Sequence, residues 1–317
     1  MDAGGVSSPQ APCYESRWLR ANSSDGTRAI WVRETLLRSS TGAANADVWV
    51  MAFDPTGHRA LRQSFPIDSA AFEDVPWTAQ IGPSSLTDTA AVGDIAGRAR
   101  WDLTIRPGGE PAVRMLSDRA YQARFPPAKT LVRHPRAEMA GRLQIDGLTV
   151  DVDGWVGSVN HNWGSRHTAA YAYGQVCAFD DAPDTTLEIV TARAAVGPVL
   201  LPGVTLLVLR HAGVEFAVRS VLGSLQTHGR YEPFTWSFGA RVGEQTIEGE
   251  IVAAPDDVIG LTYTDTGGAE KYCYNSALAT CRLQVAGSAV ARTELTSAAA
   301  MFEILTADQV AGVPLRV

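Results

Sequence analysis

Apolar and polar residues alternate along short runs of this chain, and Gly, Pro, Asp and Asn cut the runs apart. In "AIWVRETLL" (29–37) a period of two sets Ile30, Val32, Glu34 and Leu36 on one face and Trp31, Arg33, Thr35 and Leu37 on the other. Runs of similar make-up, rich in Val, Ile, Thr and Trp, recur at 47–53, 143–152, 170–179, 185–194, 203–221, 233–252, 261–265, 271–287 and 299–305. The stretch 97–116 reads as two strands around a Pro-Gly-Gly turn, and "DSAAFEDV" (68–75) reads as a short helix. Turn spacing predicts roughly 16 strands or more. That is too many for one small barrel of about eight strands. The pattern therefore predicts an all-β chain of two antiparallel barrels or sandwiches in tandem, residues 1–168 and 169–317. A faint echo, "ARWDLTIR" (99–106) against "FTWSFGAR" (234–241), hints at duplication.

Composition narrows the class without naming a function. The 317 residues are 45% hydrophobic and 19% charged, a globular balance. The net charge of -7 is spread without a basic block, so nucleic acid is not an expected partner. The N-terminus does not read as a signal peptide, and no run approaches the roughly 18 apolar residues of a membrane helix. The expected compartment is the cytoplasm. Cys13, Cys177, Cys273 and Cys281 are widely spaced and read as half-buried thiols. Nucleophile-elbow, P-loop and dinucleotide motifs are absent, and no cofactor is expected. His161 and His167, with His134 upstream, lack a third neighbouring ligand, so no metal is expected either.

Two features carry candidate chemistry. Glu34 stands in an apolar wall, where desolvation would raise its pKa toward that of a general acid. Glu188, between Leu187 and Ile189, poses the same question. The second feature is "SVNHNWGSRH" (158–167), with two asparagines, two histidines and a tryptophan. "NHNWG" is turn-like, since Asn and Gly tolerate left-handed backbone. If the segment is extended instead, His161 and Trp163 point one way and Asn160 and Asn162 the other. It reads either as a binding constellation or as a polar knot joining two halves. Aromatic residues on the strands, Trp31, Trp163, Tyr173 and Tyr274 among them, either fill cores or line one large apolar cavity.

"YESRWLRANSSDGTRAIWVRETLL", "GWVGSVNHNWGSRH" and "KYCYNSALATCRLQV" occur in that order, and together they resemble the lipocalin-like superfamily of carotenoid 1,2-hydratase, the tocopherol cyclases and the fungal decalin-forming Diels–Alderases. The resemblance spans nearly the whole chain. It implies two lipocalin-like β-barrels, a hydrophobic pocket within or between them, no cofactor, and an apolar small-molecule substrate. It departs at one place: many relatives carry Asp where this chain has Asn160, and some carry Glu where it has Asn162. Asparagine hydrogen-bonds but cannot act as an acid. The resemblance then points to a cyclase acting on a polyene, terpenoid or polyketide, with an alkene hydratase or a non-catalytic carrier as alternatives. The cyclase is either pericyclic or proton-triggered: His161 and Asn162 bond the substrate's polar end, Glu34 is the reserve acid, and protonated His161 is the other candidate acid. Trp31, Trp163, Tyr173 and Tyr274 shape the cavity, with Asn160 and His167 beside them.

Overall fold

The computed structural model describes residues 11–197 and 199–317. Among these, twelve strands between Cys13 and Gly164 form one antiparallel sheet and ten between Ala170 and Thr306 form a second. Each sheet curls into a nearly closed barrel, as the alternating pattern predicts. The two share a strand order. In the first, Cys13–Asn22 lies between Ala29–Arg38 and the sheet's last strand, Leu148–Gly164. In the second, Ala170–Val176 lies between Thr186–Arg193 and the last strand, Thr293–Thr306. The gap in each barrel falls between strands consecutive in its sheet, Arg59–Pro66 and Ala70–Asp74 in one, Val214–Val218 and Thr227–Glu232 in the other. Duplication is therefore visible in the topology. The Trp echo is not: Trp101 sits beside the penultimate strand of its barrel, whereas Trp236 sits one strand further away.

Three local readings change. Residues 68–75 are not a helix: after a short 3-10 turn, Ala70–Asp74 pairs with Trp77–Ile81. Sheet pairing overrides weak local propensity there. Val113–Arg114 pairs with Leu131–Val132 and not with the strand before the Pro-Gly-Gly turn. The run 143–152 is a hairpin. Asp146 and Gly147 turn it with φ of 44° and 80°, the positive values a two-residue Asp-Gly turn requires.

The alternation that defines the strands also defines three cores. Leu19, Ile30, Val32 and Trp101 point into the first barrel. Leu187, Ile189, Trp236, Phe238 and Phe302 fill the second. A third cluster lies between the barrels, where Trp18, Trp31, Trp49 and Phe53 meet Tyr173, Leu261 and Met301. Neighbouring residues on one strand thus serve different cores.

Candidate functional site

The strand Leu148–Gly164 is hydrogen-bonded on both edges, to Cys13–Asn22 and to Ala128–Ile145. Pairing on both sides holds "NHNWG" extended, so it is not a turn. Close approach explains its last glycine: a Cβ on Gly164 would lie 2.1 Å from the Pro127 carbonyl oxygen. Side chains therefore alternate across the sheet. Val159, His161 and Trp163 face into the first barrel, and Ser158 and Asn160 face the second.

On the inner face, His161 Nε2 lies 2.9 Å from Glu15 Oε1. Arg17 donates to the same oxygen from Nε at 3.0 Å and Nη2 at 2.8 Å, and also reaches Asp74 Oδ1 at 3.0 Å. Burial pushes the Glu15 pKa up, but the hydrogen bond and charge of His161 and the Arg17 guanidinium outweigh it and hold it below the usual value. The ionised carboxylate accepts, so Nε2 of His161 carries the donated proton. The imidazole stacks on Trp163 with centroids 4.4 Å apart, and Trp77 meets it edge-on at 6.3 Å. Tyr121 stacks on Trp163 in turn. These four rings, with Arg114 and Arg133, line a cleft of about 420 Å³ counted to its open mouth.

Glu34 lies deeper in the same barrel, opposite Arg17 on the neighbouring strand. It is fully buried, accepts from Ser84 Oγ at 2.5 Å through Oε1, and has no partner at Oε2. Burial raises its pKa to about 8, against smaller opposing effects of Ser84 and Arg17. Glu34 does not line the cleft.

The other face of the strand joins the barrels. Asn160 donates to Ser158 Oγ at 2.9 Å and accepts from Gln175 Nε2 at 2.9 Å. Gln175 also donates to Glu188 at 2.7 Å and accepts from Arg20 Nε at 2.7 Å. Tyr173 Oη donates to Glu188 at 2.8 Å. Burial raises the Glu188 pKa to about 8, with the Tyr173 and Gln175 bonds acting against it. A second cleft of about 370 Å³ opens along this seam beside Arg33, Tyr263 and Trp49. His167 borders it, stacked on Tyr14 at 3.8 Å, and burial together with the Arg33 charge pushes its pKa down to about 4.

The expected site residues do not share one apolar cavity. His161 and Trp163 meet in the first-barrel cleft. Trp31, Tyr173 and Asn160 pack in the seam, and Tyr274 lies inside the second barrel, its hydroxyl accepting from Val310 N at 2.7 Å. Asn162 accepts from Thr130 Oγ1 at 2.7 Å on the face away from His161. The aromatic side chains mostly pack on one another, and the clefts carry charged walls. Sequence reasoning missed Glu15, Trp77, Tyr121, Arg114 and Arg133. A signal existed for Glu15: it shares a strand face with Arg17 and the core residue Leu19. Among the described residues no group of His, Cys, Asp and Glu is placed to hold a metal ion.

No family model matches the chain. An uncharacterized protein of Mycobacterium tuberculosis, Rv0493c in strain H37Rv and MT0513 in strain CDC 1551, is 27% identical over 279 residues, covering 85% of this chain and 80% of its own. Among solved structures, CghA matches with a TM-score of 0.63 at 12% identity, over 94% of this chain and 90% of that one. A candidate AttH from Nitrosomonas europaea matches at 0.57 and 12% identity, over 97% and 98%. Kievitone hydratase from Nectria haematococca matches at 0.56 and 8% identity, over 94% and 89%. The chain shares the two-barrel fold of these three solved structures.

Proposed function

From that shared fold, we propose that the chain is a cofactor-independent enzyme that protonates a carbon–carbon double bond of a largely apolar molecule, a polyene, terpenoid or polyketide, in the first-barrel cleft. One observation carries the reading: an imidazole oriented by an ionised carboxylate stands among three aromatic rings. Such a pair is suited to proton transfer. The absence of carboxylates at positions 160 and 162 therefore does not leave the site without an acid. His161, when protonated, gives its proton to one alkene carbon, and the other becomes cationic. A nucleophile within the substrate closes a ring, or water adds, and the proton released returns to the imidazole. Ring closure is the preferred outcome. Arg114, whose Nη1 also reaches Asp118 Oδ1 at 2.9 Å, supplies a donor for a carbonyl or carboxylate end.

The likeness to kievitone hydratase, an enzyme by its name, supports catalysis over carriage without fixing the product. The test is incubation of the protein with a panel of unsaturated apolar acids, prenylated phenols and polyenes, followed by mass analysis. An isomer of equal mass reports cyclisation, and a gain of one water reports hydration. His161→Ala is expected to cut turnover by about 10²–10⁴-fold in protein that stays folded, with a lower melting temperature because buried Glu15 loses a partner. Bound compounds that come back unchanged would make the protein a carrier. Turnover that survives His161→Ala would remove the acid assigned here.

A further inference from the structure

Seven of the thirteen large apolar side chains that stand exposed among the described residues belong to two loops of the second barrel. One is the hairpin Ala195–Val196 with Val199–Leu200, which precedes Leu201. The other is the turn after Val218, where Leu222 is 80% and Leu225 83% exposed. The strand register puts both at one end: Ala192 pairs with Val204, Leu207 with Val218, and Thr227 Oγ1 donates to the Thr205 carbonyl at 2.9 Å.

That end is also the end at which the first-barrel cleft opens. Ala170, which pairs with Arg193, follows Gly164 by a short link, and Gly164 stands next to the cleft residue Trp163. Arg219 Nε reaches the carbonyl of the cleft residue Arg114 at 2.6 Å. Exposed Val75 and Phe125 stand beside cleft residues in the chain, the first next to Asp74 and the second shortly after Tyr121.

Charge follows the same division. The net charge is -7, yet residues 119–134, 193–204 and 216–231 contain no Asp or Glu. They carry Arg119, Arg124, Lys129, Arg133, Arg193, Arg219 and Arg230. Glu215 and Glu232 at their borders pair with Arg219 and Arg230, and Asp88 pairs with Arg133. The acidic turn from Asp265 to Glu270 stands at this same end, since Tyr171 and Cys273 both pair with Leu305 and Tyr272 pairs with Thr262, but on strands away from the two loops around the second barrel.

Leucines and valines at the tips with arginines behind them are the surface chemistry of a protein that rests on an anionic bilayer. The apolar tips enter the headgroup boundary and the cations meet lipid phosphates. We infer that this end of the molecule docks peripherally on an anionic lipid surface, with the cleft mouth beside the membrane. The inference stands on the loops and does not need the proposed reaction.

The test is flotation of the purified full chain with vesicles of phosphatidylcholine alone and of phosphatidylcholine with phosphatidylglycerol. The protein is expected to float with the phosphatidylglycerol vesicles and to be released by salt. Leu222→Glu and Leu225→Glu should each lower partitioning roughly tenfold. Val214→Glu, at the opposite end of the same barrel, should leave it unchanged. All three side chains are exposed, so melting temperatures should match the parent. Failure to float, or flotation that Leu222→Glu and Leu225→Glu leave intact, overturns the inference. So does an equal loss with Val214→Glu. A dimer in sedimentation that Leu222→Glu dissolves would show that the loops meet a second copy instead, and would overturn it as well.

Discussion

The two barrels have the same strand order and opposite interiors. The second is filled by Leu187, Ile189, Trp236, Phe238 and Phe302, and its buried carboxylates Glu188 and Glu303 turn outward to the seam, where Tyr173, Gln175, Tyr171 and Asn275 bond them. The first holds charge inside: Arg17, Glu15 and His161 at its mouth and Glu34 below them. Burying charge is costly unless it is paired, and replacing a buried pair by well-packed apolar residues is often neutral or stabilising. Packing alone therefore does not account for the first interior, while it accounts for the second. On the proposed function, the difference gives scaffold to one barrel and chemistry to the other.

That division can be broken from either side. The largest effect is expected in the scaffold. Phe302→Ala opens a cavity in the second core and should cost about 3–5 kcal/mol in urea denaturation, while folded protein keeps its turnover. A loss of turnover in protein that remains folded would tie the second interior to the reaction.

Glu34→Gln tests the first interior. Its folded pKa, about 8, lies above the ordinary 4.5. Below 4.5 both folded and unfolded states hold the proton and the group contributes nothing to pH dependence. Between 4.5 and about 8 the unfolded chain releases the proton and the folded one keeps it, so stability falls as pH rises. Glutamine cannot ionise. The variant should be about 4 kcal/mol more stable than the parent at pH 8, and the gap should close as pH approaches 4.5. Glu188 titrates alike in both proteins and cancels in the difference. A gap that does not change with pH would show that Glu34 is not held neutral by the barrel.

The strands and their faces were legible because the side-chain period of a strand is two. The sequence pattern already separates Ile30, Val32 and Glu34 from Trp31 and Arg33, and His161 from Asn160, as the structure does. It could not say what each face meets. Trp31 faces another barrel and not a ligand, because sheet-to-sheet packing is a long-range fact that a local period does not encode. Tyr274 has the composition of a pocket residue and the place of a core residue. The site itself is drawn from distant segments: Glu15, Trp77, Tyr121, Arg133 and His161 meet only through barrel closure. Of these, His161 alone stood in a motif unusual enough to draw notice.

The smallest expected effect probes one strand, where the two kinds of surface lie a residue apart. His161 and Asn162 are neighbours in sequence, yet one lines the cleft and the other accepts from Thr130 on the opposite face. Asn162 stands where some members of the superfamily resembled by the sequence carry a glutamate. Asn162→Asp keeps the acceptor oxygen that Thr130 uses, and the position is half-buried, so the new charge retains water. Stability should change by no more than about 0.5 kcal/mol, and turnover should stay at the parent level while His161→Ala removes it. A large gain in turnover on restoring the carboxylate would mean that the outer face takes part in the chemistry. The site would then have to be moved from the first-barrel mouth toward the side of the sheet that bears Asn160 and Asn162.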